Sequence, residues 1–116
     1  MSSSSFKKGK IVLVELTFSD ESGSKWRPAL VVSSDAYNQT SPDVVLAKIS
    51  GSDYGTSFEV ALTSSMLKSG ELNKPSFIDL GNLRAVEKKQ VLREIATVDE
   101  KTVKACDEKI RKVFGV

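Results

Sequence analysis

Short apolar runs alternate with polar, turn-forming segments over the first two thirds of the chain. Five of these runs are five to seven residues long, a length typical of strands, and the first is rich in β-branched residues. They span residues 11–16, 28–33, 44–50, 58–62 and 76–80. The sequence therefore predicts a sheet of five to seven short strands, most of them antiparallel.

The spacing of the apolar residues changes toward the end of the sequence. There they recur at intervals of three and four, the spacing of one helical face. These residues are Val103, Cys106, Ile110, Val113 and Phe114. Thr97 or Asp99 is the expected N-cap and Gly115 the expected stop, so we predict an amphipathic helix over residues 101–114. Many short strands followed by one helix indicate a mainly β fold with α, a small antiparallel β-barrel with the helix packed on one side.

The segments between the apolar runs are expected to be loops and turns. Residues 19–25 (SDESGSK) are typical of a loop, and residues 34–43 (SDAYNQTSPD) favour a hairpin-like connection. Residues 87–93 fit neither period cleanly, and a short helical turn is one interpretation of them. Residues 1–5 have nothing to bury and are expected to be a disordered leader, which leaves residues 6–116 as a single domain.

Composition excludes several classes of protein. No apolar run approaches the roughly 18 residues of a membrane span, and no apolar segment follows the basic residues near the start, so a cytoplasmic protein is expected. With one cysteine and no histidine in the chain, we expect no disulfide, no Cys/His dyad, no metal site and no cofactor. Cys106 is interpreted as a small core residue of the helix. A formal net charge of +2 does not by itself indicate nucleic-acid binding.

Five segments in sequence order resemble the MazF/PemK endoribonuclease toxins over nearly the whole chain. They are GKIVLVEL, WRPALVVSSDAYN, VVLAKIS, SFIDLGNLRAVEKKQV and IATVDEKTVKACDEKIRKVFG. The most specific element is R-P-A-L-V-V-S-x-D-x-Y-N at residues 27–38. The resemblance implies a small SH3-like, PemK-type barrel that forms a homodimer and acts as the toxin of a type II toxin–antitoxin pair. It also implies metal-independent, sequence-specific cleavage of single-stranded RNA, blocked by a cognate antitoxin.

Three residues match functional positions of that family. Arg27 falls on the catalytic arginine, Ser50 falls where the family usually has a threonine after the third strand, and Arg84 matches the arginine of its Q-x-R-T element. The chain departs from the family at neighbouring positions. An acidic residue and a glutamine before that element are replaced by Gly81 and Asn82. The threonine of the element becomes Ala85, and the family's E-Q pair before the catalytic arginine is absent from residues 21–25.

RNA supplies its own nucleophile, because the 2′-hydroxyl can attack the adjacent phosphorus. Arg27 suits the task of neutralising the phosphoryl oxygens, since a guanidinium presents a planar, permanently charged fork. A guanidinium is a poor general base, and no histidine is present to act as one. Asp20, Glu21 and Glu87 are candidates by elimination. Ser50 could donate to a phosphate oxygen or orient the 2′-hydroxyl, whereas its alternative role is to bond within its own turn.

Aromatic and glycine positions are candidates for RNA contacts. Trp26 and Tyr54 could stack on unpaired bases, and packing in a core or interface is the alternative for both. Gly51 would allow the RNA backbone to approach closely. We expect Trp26 to lie with Arg27 and Ser50 in one groove.

Basic side chains are candidates for phosphate contacts, which would make RNA binding dependent on salt. These are Lys25, Lys48 and Arg84. A solvated position on a strand is the alternative for Lys48, and a salt bridge that holds a loop is the alternative for Arg84.

Two further hypotheses keep the fold but not the ribonuclease activity. One is a DNA-gyrase poison like the related CcdB toxins, which end in aromatic, glycine and aliphatic residues, as Phe114, Gly115 and Val116 do here. The other is a degenerate homologue that binds nucleic acid or an antitoxin without cleaving RNA. The departures at Gly81 and Ala85 suggest the second.

Overall fold

The computed structural model describes residues 6–16, 25–52 and 55–116. Over these residues the chain forms seven strands and two helices. They are β1 (Lys10–Leu16), β2 (Lys25–Val31), α1 (Asp35–Thr40), β3 (Asp43–Ser50), β4 (Glu59–Leu62), β5 (Leu67–Gly70), β6 (Ser76–Glu87), β7 (Val91–Val98) and α2 (Glu100–Phe114). The predicted leader, residues 17–24 of the β1–β2 connection and Tyr54 lie outside the described residues.

All seven strands belong to one antiparallel sheet in the order β4-β6-β3-β2-β1-β7-β5. Each face of this sheet carries its own apolar cluster, because successive side chains on a strand point to opposite sides. We call the two sides the helix face, on which α2 packs, and the far face. The predicted mainly antiparallel β fold with a C-terminal helix is confirmed.

The far face is enclosed because the sheet curls on itself. Its cluster comprises Val12, Val14, Ala29, Val31, Val44, Leu46 and Val86, all of them buried. Val86 near the end of β6 and Val91 at the start of β7 both pack there, and a single 3₁₀ turn, Lys88–Gln90, joins the two strands. Since β6 and β7 are separated by three other strands in the sheet, this short connection bends the sheet into a half-barrel.

The helix face is covered by α2. Cys106 is buried in its cluster, and Val103 and Ile110 pack against that cluster, as the sequence period predicts. Asp99 is the N-cap, and its carboxylate accepts from the backbone amide of Thr102 (2.8 Å) and from the Thr102 hydroxyl (2.7 Å). These bonds hold the pKa of Asp99 below its usual value. Within the described part of the chain, neither helix is long and apolar enough to cross a bilayer.

One predicted turn is a helix. Residues 35–40, expected to belong to a hairpin-like connection, form α1, whose N-cap Ser34 accepts from the Tyr37 amide (3.1 Å). A short polar segment without apolar periodicity becomes helical here because its caps and its buried Asn38 supply the hydrogen bonds. Hairpin geometry between β2 and β3 is nevertheless kept, since the two strands pair antiparallel.

Asn38 explains part of the most specific sequence motif. Its side chain is 1% exposed, and its amide nitrogen donates to the carbonyls of Phe6 (2.8 Å) and Ser33 (3.1 Å). Its Oδ1 accepts from the Ser33 hydroxyl, whose oxygen in turn accepts from the Val45 amide (3.0 Å). The end of this motif therefore joins the N-terminal segment, β2 and β3.

Candidate active site

Arg27 lies near the start of β2, on the far face of the sheet. It pairs with Val14 of β1, and two residues later Ala29 pairs with Val12 in the apolar cluster. The Arg27 side chain is partly buried, and its Nε atom is inaccessible to solvent. The guanidinium therefore lies where the apolar cluster ends and the polar end of the strands begins. The part of the side chain up to Nε is buried by packing.

Lys48 and Asp79 lie directly opposite each other on the same face. Lys48 of β3 is flanked by Ala29 of β2 on one side and by Asp79 of β6 on the other. Side chains at such opposed positions have Cβ atoms roughly 4.5–5.5 Å apart. Glu59 of β4 lies beyond Asp79 in the same row. The row thus places an ammonium next to two carboxylates.

Ser50 is the last residue of β3 and shares the far face with Lys48, because the two are separated by two positions. Continuing the β2–β3 register by two residues sets Ser50 against Arg27. The Ser50 hydroxyl oxygen accepts from the Ser52 amide (3.0 Å), which is the turn contact considered from the sequence, and its proton remains able to be donated. Arg27 and Ser50 are thus brought to one face of the sheet. We call Arg27, Lys48, Ser50 and Asp79 the polar rim.

Trp26 is separated from this group. It pairs with Glu15 of β1 and points to the helix face, opposite to its neighbour Arg27. Its side chain is 49% exposed, so core packing does not account for it. The sequence predicted that Arg27, Ser50 and Trp26 lie in one groove. The β1–β2 register instead places the indole on the opposite face of β2 from Arg27.

Arg84 is on the far face, opposite Leu46, and lies diagonally from Lys48. Gly81 and Asn82, where the chain departs from the family, fall within the irregularity of β6 between the Leu83–Ala47 and Asp79–Lys48 pairs.

Asp79 is the rim residue that the sequence reasoning missed. Its Oδ1 accepts from the Gly81 amide (3.0 Å), so the carboxylate is turned toward the bulge where the family's acidic residue would stand. A signal was present, since Asp79 is the single charged residue of the run SFIDL. Three other carboxylates were candidate general bases. Glu87 pairs with Asp43, at the opposite end of β3 from Ser50. Asp20 and Glu21 lie outside the described residues.

The remaining residues singled out from the sequence lie outside the polar rim or outside the described side chains. Gly51 follows Ser50 and is exposed, and the Lys25 side chain lies outside the described part of the structure. Ala85 pairs with Val45 and is exposed away from the rim. Cys106 is 2% exposed in the core, and burial raises the pKa of its thiol to about 12, which confirms its interpretation as a core residue.

Comparison with known proteins agrees with this architecture. An endoribonuclease from a mycobacterial species, solved in complex with its cognate antitoxin, has a TM-score of 0.78 and 18% identity, covering 95% of each chain. The Mycobacterium tuberculosis toxin MazF-mt6 has a TM-score of 0.76 and 21% identity, covering 92% of this chain and 97% of that one. MazF from a Deinococcus radiodurans MazE–MazF structure has a TM-score of 0.75 and 20% identity, covering 95% and 96%.

These structural likenesses establish the fold. Among curated protein sequences no relative matches the chain. The sequence profile described as "PemK-like, MazF-like toxin of type II toxin-antitoxin system" matches residues 7–114, which include the whole sheet, the polar rim and α2. The chain therefore belongs to the PemK-like, MazF-like toxin family of type II toxin–antitoxin systems.

Proposed function

We propose that this chain is a sequence-specific endoribonuclease that cleaves single-stranded RNA without a metal ion. The observation that carries the proposal is the polar rim, which gathers a guanidinium, an ammonium, a hydroxyl and a carboxylate at one end of the far face. Those groups match the needs of phosphoryl transfer to an internal hydroxyl, which are charge neutralisation, orientation and proton movement.

In the proposed reaction the RNA 2′-oxygen attacks the adjacent phosphorus, and the bond from phosphorus to the 5′-oxygen breaks. The products are a 2′,3′-cyclic phosphate and a 5′-hydroxyl. Arg27 neutralises the two non-bridging oxygens with its planar fork, and the Ser50 hydroxyl donates a hydrogen bond to one of them. Asp79 takes the 2′-hydroxyl proton as the general base, and Lys48 lies directly across the sheet from it. Water supplies the proton that the departing 5′-oxygen needs.

The partners proposed are a second copy of the chain and a cognate antitoxin. Family membership supports both, and one of the structural neighbours was solved with its own antitoxin. A chain of this length buries only about 65% of its unfolded surface, so a dimer interface would add to a modest core. Light scattering at micromolar concentration should give twice the 12.6 kDa of one chain, and a mass of 12.6 kDa would contradict the dimer.

Arg27 provides the direct test of the activity. Wild type, Arg27→Ala and Arg27→Lys are incubated with a mixed RNA pool in EDTA, and circular dichroism establishes that each protein is folded. Wild type should cleave, and Arg27→Ala should be slower by about a hundredfold or more, because it lacks the charged donor where negative charge develops. Arg27→Lys should recover only part of that loss, since an ammonium keeps the charge but not the two-pronged geometry.

Three results would overturn the proposal. Wild-type cleavage by folded Arg27→Ala would remove the guanidinium from the mechanism. A folded wild type that cuts nothing in EDTA but cuts when Mg²⁺ is restored would show that a metal ion is needed. Failure to cut under both conditions would favour the binding-only alternative.

A further inference from the structure

A cleft of about 620 Å³ opens on the helix face of the sheet, outside the area covered by α2. It lies between the segment that follows β5 and the strands β1, β2 and β7. Its floor includes Leu13 and Pro28, which oppose each other directly in the β1–β2 pair. That pair is the immediate neighbour of the Val14–Arg27 pair, so the cleft and the polar rim sit at the same end of the strands, on opposite faces.

The lining of the cleft combines an apolar floor with polar groups that can form hydrogen bonds. Leu72 and Ile95 extend the floor, whereas Asn73 adds an amide that can both donate and accept. Lys74 and Arg93 contribute two positive charges against the single negative charge of Glu71. A flat, uncharged ring with polar edges, attached to an anionic backbone, has the chemistry that this combination would accept.

Trp26 lies beside the cleft. It precedes Pro28 by two residues on β2 and so shares the helix face with it. Its indole is 49% exposed. An exposed indole next to a cleft is a stacking surface for an unpaired base, a contact worth about 1–3 kcal/mol per base.

Lys74 connects the cleft to the polar rim. Its Nζ lies 3.0 Å from the point that a β-carbon on Gly51 would occupy. Gly51 directly follows Ser50, and the absence of a side chain there leaves room for this ammonium. A positive charge thus lies at the end of β3, where the rim on the far face and the cleft on the helix face both reach.

We infer that this cleft, together with Trp26, is a subsite for the base of a nucleotide that flanks the cleaved phosphate. In this arrangement an RNA strand held at Arg27 and Ser50 passes Lys74 at the end of β3, and its next base enters the cleft beside the indole. Asn73 reads the edge of that base, so the subsite contributes to sequence preference. This inference rests on the proposed function and names where part of its specificity arises.

The excess of positive charge and the exposed indole favour single-stranded RNA over a peptide as the occupant. An acidic peptide could meet the charge requirement, but it would not need a stacking surface. The choice can be tested directly because Trp26 is the only tryptophan of the chain. Its fluorescence therefore reports on this subsite alone.

The experiment titrates wild type with 2′-O-methyl RNA oligomers of A, C, G or U, which cannot be cleaved, and with an abasic oligomer of equal length and charge. Quenching of Trp26 by at least one base-bearing oligomer, and none by the abasic one, is expected. Equal quenching by both, or quenching by neither, would overturn the inference. Quenching by an acidic peptide alone would assign the cleft to a protein partner and would overturn it too.

Variants then test specificity. Asn73→Ala and Lys74→Ala should weaken binding of the preferred oligomer about fivefold or more and change the distribution of cut sites in an RNA pool. Lys101→Ala, an exposed lysine on α2, is the matched control and should change neither. Cleft variants with wild-type affinity and cut sites would refute the subsite even if the enzyme is active. Base-dependent quenching in a wild type that never cuts would instead refute the proposed activity and leave the subsite standing.

Discussion

At the scale of single residues, the proposed role of Asp79 as general base depends on its neighbours across the sheet. The β3–β6 register sets it opposite Lys48, and its Oδ1 accepts from the Gly81 amide in the bulge. We predict that Asp79→Asn slows single-turnover RNA cleavage about a hundredfold or more, since the amide cannot accept the proton of the 2′-hydroxyl. Glu59→Gln, one strand further from Arg27 in the same row, is the matched control and should retain most activity. Equal losses in both variants would argue for a general charge effect instead.

Asn38 is a buried polar residue whose loss should lower stability without touching the polar rim. Asn38→Ala removes hydrogen bonds that serve two buried carbonyls and the Ser33 hydroxyl. The free energy of unfolding should fall by about 2–4 kcal/mol, because these groups remain buried without their partner. Urea denaturation measures the change, with Gln39→Ala on the exposed side of α1 as control. A loss below about 0.5 kcal/mol would mean that water replaces the Asn38 side chain at little cost.

The candidate site could be predicted from the sequence only in part. Arg27 and Ser50 were accessible through motif resemblance, and strand alternation then brings them to one face. The pairing of Asp79 with Lys48 was not accessible, because it depends on the irregularity between Ala47 and Lys48, where three residues of β6 lie between successive pairs. The side of β2 on which Trp26 lies follows from strand alternation, which places it on the face opposite to Arg27.

At the scale of secondary-structure elements, α2 is coupled to the sheet through Cys106. Burial raises the pKa of its thiol from 9.0 to about 12. Because the folded pKa exceeds the unfolded one, the folded chain keeps a proton that the unfolded chain releases. The stability tied to this proton is complete below pH 9 and is lost as the pH rises from 9 toward 12, by about 1.4 kcal/mol per pH unit.

Cys106→Ala provides the measurement. The free energy of unfolding of wild type, from urea denaturation at pH 8, 9, 10 and 10.5, should fall more steeply above pH 9 than that of the variant. Lysine titration affects both proteins equally and cancels in the comparison. Parallel pH slopes for the two proteins would show that the thiol ionises as readily in the folded state as in the unfolded state.

The same scale shows why some elements were predictable and others were not. Short apolar runs predicted β1 and β3, and a helical period predicted α2. In contrast, β7 contains two register shifts against β1, and each one breaks the period of two. The second half of β6 is hidden for the same reason, since the bulge near Gly81 changes which residues face the core. β5 is only four residues long, and one of them is Gly70, where a β-carbon would lie 2.3 Å from the Ile95 carbonyl oxygen.

At the scale of the whole molecule, the positions of the charged side chains matter more for RNA binding than the net charge of the protein. The formal net charge is only +2, yet Arg27, Lys48 and Arg84 all lie on the far face. Elsewhere several lysines form ion pairs, as Lys8 does with Asp107 (2.8 Å) and Lys68 with Glu100 (3.0 Å). Attraction for a polyanion therefore depends on a local cluster and not on the protein's average field.

This distribution predicts a measurable salt dependence. The affinity of wild type for a 2′-O-methyl RNA oligomer should fall linearly on a plot of log K against log salt concentration, with a slope of about −0.7 for each phosphate neutralised on a single strand. Lys48→Ala should reduce the magnitude of that slope by about 0.7, because one phosphate contact is lost. Lys68→Ala also removes one positive charge, but it does so from an exposed ion pair on β5, so its slope should equal that of wild type. Filter binding between low and physiological salt distinguishes these outcomes. An equal change in both variants would show that net charge controls binding, and a wild-type slope near zero would show that the polar rim does not contact phosphates.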